Sequence, residues 1–177
     1  MLTRRQVIGS GGVAVALGAF GHSAQGATDD PAAIVTAIYI RAARGKGDSG
    51  GDFHDKSARA KYLSAAFAAL WDRAEARAPK DEPGPVEFDP VTNSQDPDVK
   101  SFRVTSEKRN DDRATVASSI AGHHGKRDKA VDNVIRYDFV RENGTWRIDD
   151  IRGAADGEPW SIREILNESL KSPPEKR

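Results

Sequence analysis

The chain contains no cysteine among its 177 residues. This absence excludes disulfide bonds, thiol catalysis, thiolate metal sites and lipid attachment through an N-terminal cysteine. The fold must therefore be held together by a hydrophobic core, which a chain of this length can bury without covalent cross-links.

The chain also lacks a net charge, because 27 Lys and Arg balance 27 Asp and Glu. Such a mixed surface offers no basic stripe for a nucleic-acid backbone, so we predict no nucleic-acid partner. The sequence has no Gly-Lys-Ser phosphate loop and no His-Glu-x-x-His helix, and we predict no cofactor. His123 and His124 are adjacent and would point to opposite faces of a strand, which favours a solvated hairpin tip over a metal site.

The apolar stretch at residues 13–20 is too short and too rich in Ala and Gly to span a bilayer, which takes roughly 20 strongly apolar residues. It follows the pair Arg4-Arg5 and precedes the small residues of Ala24-Gln25-Gly26. This layout predicts a twin-arginine export signal at residues 1–26, with the mature chain beginning at Ala27. An ordinary secretory signal has a similar apolar run, but the residues flanking the arginine pair favour the twin-arginine route. We therefore expect a periplasmic or secreted protein with no membrane span after cleavage.

Removing 26 of the 177 residues leaves 151, which is enough for one domain. The remaining pattern predicts an α+β fold at residues 27–171 and a disordered tail at 172–177. Helices are predicted after the caps Asp30, Ser64 and Ser161. Period-two alternation predicts strands at 86–88, 102–106, 114–120, 135–139 and 146–151, with a hairpin turn at Asn143-Gly144.

The segment from residue 89 to residue 98 is unusually dense in amide and carboxylate side chains. Asp89, Asn93, Gln95 and Asp96 are its candidate ligand-binding residues. One interpretation is a fixed polar loop that faces a cleft and binds a ligand or a cation. The other is structural, because Asp and Asn side chains often bond to nearby backbone amides and shape a long turn.

Asp150 is the fifth candidate binding residue. If Trp146 and Ile148 face the core, strict alternation places Asp150 on the same face. A buried carboxylate is costly without partners, so either Asp150 is hydrogen-bonded or a bulge breaks the alternation. Its uses could be a hydrogen-bond anchor for the polar loop, a ligand contact, or a general acid or base with a raised pKa.

Four segments together resemble the family of exported bacterial proteins called DUF3828, a domain of unknown function. They span roughly residues 32 to 170. In order, they are Tyr62-Leu63 through Leu70-Trp71, Phe88-Asp89-Pro90 with Asn93-Ser94-Gln95-Asp96, Trp146-Arg147-Ile148-Asp149-Asp150-Ile151, and Trp160-Ser161-Ile162-Arg163. The resemblance implies an NTF2-like cone, in which helices pack against a curved antiparallel sheet. Some members are lipoproteins, from which this chain departs by lacking cysteine.

These observations favour an exported, non-catalytic domain that binds a small ligand or an envelope partner. An alternative is an NTF2-like enzyme with isomerase- or dehydratase-like chemistry, using Asp150 as general base and Tyr39 or Tyr137 as donor. A third is an assembly subunit of an envelope complex, with a homodimer also open. Fold alone does not decide among them.

Overall fold

The structure is a computed structural model that describes residues 30–44, 53–79, 84–95, 98–123, 127 and 129–171. The predicted export signal at residues 1–26 and the predicted tail at 172–177 lie outside the described residues. Asp96 and His124 also lie outside them.

The described ranges contain four α-helices: α1 (Pro31–Ala42), α2 (Lys56–Tyr62), α3 (Ala65–Arg77) and α4 (Ile162–Lys171). The predicted caps of α1 and α3 are confirmed, since Asp30 accepts the N–H of Ala32 and Ser64 accepts the N–H of Phe67. Helix α2 was not predicted, because it has only seven residues and no apolar stripe.

The start of α4 follows its capping signal. The Ser161 hydroxyl accepts the N–H of Glu164 at 3.1 Å. Ile162 and Leu166 on the helix are fully buried, so α4 closes the core after the last strand.

Five strands form one antiparallel sheet in sequence order: β1 (Ser101–Arg109), β2 (Arg113–Ala121), β3 (Val134–Glu142), β4 (Thr145–Ala155) and β5 (Glu158–Ser161). Strand β5 was not predicted. A short 3-10 helix (Ala130–Asn133) precedes β3. The predicted turn at Asn143-Gly144 is confirmed, with φ of 51° and 80° at its two residues. The structure therefore confirms the predicted α+β class, with an antiparallel meander sheet and helices.

The strand predicted at residues 86–88 is wrong. Val86 is buried, but it forms no ladder with the sheet, and only Asp89 makes an isolated bridge, to Ser94. Pro85 and Pro90 flank the segment, and neither has an N–H to donate to a neighbouring strand.

The two faces of the sheet differ in chemistry. The helices cover one face, where Tyr39 of α1 stacks on Phe102 of β1 with ring centroids 5.3 Å apart. The buried strand residues of this face include Val116, Ile135, Tyr137, Phe139 and Ile148. The opposite face is polar and carries ion pairs, among them Arg136–Glu107 at 2.9 Å and Arg152–Asp138 at 2.5 Å.

None of the helices in the described ranges has both the length and the apolar character that crossing a membrane requires.

Candidate functional site

The polar segment forms a closed turn between residues 89 and 94, which we call the Asp89 turn. The N–H of Asp89 donates to the Ser94 carbonyl at 2.9 Å, and the N–H of Asn93 donates back to the Asp89 carbonyl at 2.8 Å. Asn93 has a φ of 53°, in the left-handed region that Asn tolerates better than most residues.

The Asn93 side chain ties the Asp89 turn to two other parts of the fold. Its amide nitrogen donates to the carbonyls of Asp132 at 3.1 Å and Ala154 at 2.6 Å. Its amide oxygen accepts the indole N–H of Trp160 at 2.9 Å. The side chain therefore joins the 3-10 helix and the β4–β5 hairpin to the turn.

Trp160 reaches Asn93 because β4 carries a glycine beside it. A Cβ added to Gly153 would lie 2.4 Å from the Trp160 ring, so only glycine leaves room for the indole. The same ring meets Phe88 edge-on at 5.0 Å. The Gly153–Trp160 contact is a part of this site that strand patterning did not predict.

Asp89 is only 9% exposed. Its carboxylate accepts the N–H of Val91 at 3.0 Å and the hydroxyl of Thr92 at 2.7 Å. Burial raises the pKa of Asp89, and the hydrogen bonds from Thr92 and Val91 offset part of that rise. Asp89 makes no ion pair with any residue in the described ranges.

Two buried phenols lie under the turn. The Tyr39 hydroxyl donates to the Val91 carbonyl at 2.8 Å, and the Tyr137 hydroxyl donates to the Tyr39 oxygen at 3.1 Å. Burial raises the pKa of both phenols well above the ordinary value, so both stay protonated. Ser118 is also fully buried beside Tyr39, and its hydroxyl has no hydrogen-bond partner of ordinary geometry among the described residues.

Arg127 approaches the same turn from the β2–β3 connection. Its guanidinium donates to the Asp132 carbonyl at 2.6 Å and to the Thr92 carbonyl. Burial lowers the pKa of Arg127, while neighbouring Asp132 and Tyr39 oppose that change. Sequence reasoning missed the role of this half-buried arginine, because its basic neighbours in the sequence, Lys126 and Lys129, favour a solvated loop.

Gln95 is exposed at the end of the turn. Asp96, the next candidate, lies outside the described residues. The described part of the predicted loop therefore brings Asp89 and Asn93 together in one turn and leaves Gln95 at its rim.

Asp150 lies in a β-bulge. Asp138 of β3 pairs with Asp150, but the next residue, Phe139, pairs with Ile148, so Asp149 has no partner across the ladder. The bulge breaks the alternation, as one of the two sequence interpretations required. Ile148 and Ile151 both stay in the core, and the two aspartates lie between them.

Asp150 bonds to the start of α4. Its carboxylate accepts the hydroxyl of Ser161 at 2.6 Å, the N–H of Arg163 at 3.0 Å and its neighbour's N–H, from Ile151, at 2.8 Å. Burial raises the pKa of Asp150, and these hydrogen bonds offset part of the rise. The carboxylate thus satisfies backbone donors that the first turn of a helix leaves without partners.

Asp149 supports the start of α3 through its cap residue. It accepts the hydroxyl of Ser64, the N-cap of α3, at 2.6 Å, and pairs with Arg163 at 2.6 Å. The N–H of Ser64 itself donates to the Ile148 carbonyl at 2.7 Å. Two helix N-termini therefore meet the Asp149–Asp150 bulge, where their dipoles favour negative charge.

The Asp89 turn bonds to the β4–β5 hairpin, and Asp150 lies on the same hairpin at a different point of β4. Asn93 bonds to Ala154, four residues beyond Asp150, which is roughly 13 Å along a strand. No hydrogen bond within the described ranges joins Asp150 to Asp89 or Asn93.

The enzymatic alternative needs Asp150 as general base close to Tyr39 or Tyr137 as donor. The register instead places the base and the donors on opposite faces of the sheet. Tyr137 faces the core, whereas the neighbouring Asp138, which pairs with Asp150, points to the opposite face. Tyr39 lies in the core with Tyr137, and both are fully buried.

Sequence reasoning also missed a fully buried charge, Arg59. Arg59 of α2 is 1% exposed and pairs with Glu75 at 2.7 Å and Asp72 at 2.9 Å. It also donates to the Phe53 carbonyl at 2.7 Å and lies over the Trp71 ring. These contacts fix α2 and the segment before it against α3.

Within the described ranges, no group of three His, Asp or Glu side chains is arranged to hold a metal ion. His123 pairs with Asp98, with 2.7 Å between the ring nitrogen and a carboxylate oxygen.

Comparisons with protein-family models, with curated proteins and with solved structures found no match to this chain.

Proposed function

We propose that this chain is an exported, non-catalytic binding domain that acts in the periplasm or after secretion. The twin-arginine pattern at Arg4-Arg5 supports the export route. The four segments that resemble DUF3828, and a meander sheet covered by helices on one face, support an NTF2-like relationship.

The observation that carries the binding role is the state of Asp89. It is almost fully buried, its hydrogen-bond donors in the turn are neutral, and it makes no ion pair in the described part of the chain, although the electrostatic effect of His54 lowers its pKa slightly against the larger effect of burial. An ionisable carboxylate kept out of water without an opposite charge lowers stability. Groups held in such a state cluster at functional sites.

The proposed ligand, or the contacting group of an envelope partner, supplies a positive charge or a hydrogen-bond donor to Asp89. Gln95, which is exposed at the end of the turn, contributes to the rim of the proposed site, and Asp96, outside the described residues, stays a candidate from the sequence alone. Asn93 shapes the turn through its internal hydrogen bonds, which lowers the entropy lost when a partner binds. Asp150 in this proposal serves the start of α4.

The Asp89→Asn variant tests the proposal. Asparagine keeps an oxygen for the Val91 N–H and removes the charge, so stability at neutral pH should hold or rise. We expect small amines such as putrescine, ethanolamine and glucosamine, used as probes, to raise the melting temperature of the wild type but not of Asp89→Asn. Asp111→Asn, at an exposed hairpin acid, is the matched control and should respond like the wild type.

If Asp89→Asn loses several degrees of melting temperature and no amine shifts the wild type, the carboxylate only holds the turn and the proposal fails.

A further inference from the structure

The turn between β3 and β4 carries the only asparagine of the chain that is followed by glycine. Asn143 and Gly144 are both exposed, and a Cβ added to Gly144 would have no atom within 4 Å. In such a pair, the backbone nitrogen of the glycine can attack the side-chain amide carbon of the asparagine, because no Cβ hinders its approach. The turn therefore holds the two reacting groups of a spontaneous deamidation at the surface.

Neither reacting group is held by a hydrogen bond. Among the described residues, the Asn143 side chain has no hydrogen-bond partner, and the Gly144 N–H has no backbone acceptor. The ladder bonds around a two-residue turn belong to the residues that flank it, here Glu142 and Thr145. Ring closure can therefore proceed without breaking a hydrogen bond of either reacting group.

Arg141 adds a positive charge beside the turn. Its Nε donates to the Gly144 carbonyl at 3.2 Å. The amide nitrogen of Gly144 must lose its proton before it can attack, and a nearby guanidinium favours the negatively charged form of a neighbouring group. The charge of Arg141 therefore favours the reactive form of this nitrogen.

The other four asparagines lack this combination, because each precedes a residue with a Cβ. Asn93 is half-buried, and both its amide nitrogen and its amide oxygen are bonded. Asn110 is exposed, but its side-chain oxygen accepts two backbone N–H groups. Asn167 donates to a carbonyl one turn earlier in α4, and Asn133 precedes a β-branched valine. The structure thus singles out Asn143.

We propose that Asn143 is a site of spontaneous deamidation that changes the protein as it ages. The Gly144 nitrogen bonds to the side-chain carbon of Asn143, and the amide nitrogen leaves as ammonia with the proton that Gly144 gives up. Water then opens the resulting cyclic imide at one of its two carbonyls. Opening at one carbonyl gives aspartate, and opening at the other gives isoaspartate, in which the backbone runs through the side chain.

The two products differ in their effect on the hairpin. Aspartate keeps the backbone and tolerates the left-handed φ of 51° at Asn143. Isoaspartate adds a backbone carbon to a turn whose two residues fit the twist of β3 and β4. The neighbouring Glu142 carboxylate accepts the N–H of Ala65 at the start of α3, at 3.1 Å, so a distorted turn also weakens this contact. The proposal does not depend on the ligand proposed for Asp89.

Incubation of the full chain at mildly alkaline pH, followed by proteolysis and mass spectrometry, tests the site. The peptide that contains Asn143 should gain the mass of an amide-to-acid exchange, with isoaspartate as the main product. The peptide that contains Asn110 is the control and should keep its mass. A synthetic peptide of residues 138–148 measures the reaction without the fold. Equal rates at Asn143 and Asn110, or an unchanged Asn143 while the synthetic peptide converts, would overturn the proposal.

Anion exchange separates the aged, more acidic protein, and thermal melting measures what the change does to the fold. The isoaspartate fraction should melt a few degrees below the fresh protein, whereas Asn143→Asp should melt close to it. Asn143→Gly should stay uniform on the column during the same incubation. An acidic form that persists in Asn143→Gly places the reaction elsewhere and overturns the site. An isoaspartate fraction that melts with the fresh protein overturns the proposed effect on the hairpin.

Discussion

The Asp89 turn and the Asp149–Asp150 bulge both place carboxylates against backbone N–H groups, but they compensate charge differently. At the bulge, the starts of α3 and α4 and the guanidinium of Arg163 face the two aspartates. At the turn, Asp89 has only neutral donors from Val91 and Thr92. Aspartates in these two settings look alike in a sequence, yet one pair bonds to two helix starts, whereas Asp89 bonds only to neutral donors of its own turn.

The largest effect is expected at the bulge. Asp149→Ala removes the acceptor of Ser64 and the ion-pair partner of Arg163, so the free energy of unfolding should fall by about 2–3 kcal/mol. Urea unfolding followed by circular dichroism measures it. Asp111→Ala, in the exposed β1–β2 hairpin, is the control and should change stability by less than about 0.5 kcal/mol. An equally small loss in Asp149→Ala would remove the structural role assigned to the bulge.

A somewhat smaller effect is expected in the turn itself. Asn93→Ala loses three side-chain hydrogen bonds and forces a left-handed φ on alanine. The free energy of unfolding should therefore fall by about 2 kcal/mol. Asn93→Gly loses the same bonds but accepts the φ, and should recover about 1 kcal/mol.

Asn143 supplies the matched control for Asn93. It has a φ of 51° in the exposed β3–β4 turn. The Ala–Gly difference at Asn143 therefore measures the backbone contribution alone. If Asn93→Ala loses no more than Asn143→Ala, the hydrogen bonds of Asn93 do not hold the turn.

The smallest expected effect is a change in stability with pH that depends on the buried carboxyl of Asp89. Burial raises the pKa of Asp89 above its ordinary 3.8, so its contribution favours folding at low pH and is lost as pH rises through the folded-state pKa. Relative to Asp89→Asn, the wild type should lose stability as pH rises from 3.8 toward neutrality. The electrostatic effect of His54 on Asp89 opposes the pKa rise, so His54→Gln should widen the difference. Thermal melts of the three proteins across this range check the sign, and a flat difference would show that Asp89 is not desolvated.

Much of the fold could be predicted because its signals are local. Asp30 and Ser64 cap helices where they stand in sequence, and Asn143-Gly144 turns the chain with little help from elsewhere. The segment at Val86 shows the limit. Its apolar residues alternate as in a strand, but two prolines flank it and no strand in the described ranges pairs with it.

The candidate site could be predicted only in part. Asp89 and Asn93 share a turn because they are close in sequence. The partners of that turn, such as Trp160 and Arg127, come from distant segments, and no local pattern marks them. Gly153 illustrates the reason. A side chain is excluded at this position only because the Trp160 ring packs against it.

By itself, the sequence determined the α+β class, the helix caps, the main hairpins and the exclusion of thiol chemistry, because these depend on residue type and short-range spacing. Only the tertiary structure decided that Asp149 leaves the β3–β4 ladder and that Asp150 belongs to a helix start. Both outcomes depend on which helix starts meet β4. There the desolvation of the two carboxylates is balanced by the dipoles of α3 and α4 and by the guanidinium of Arg163.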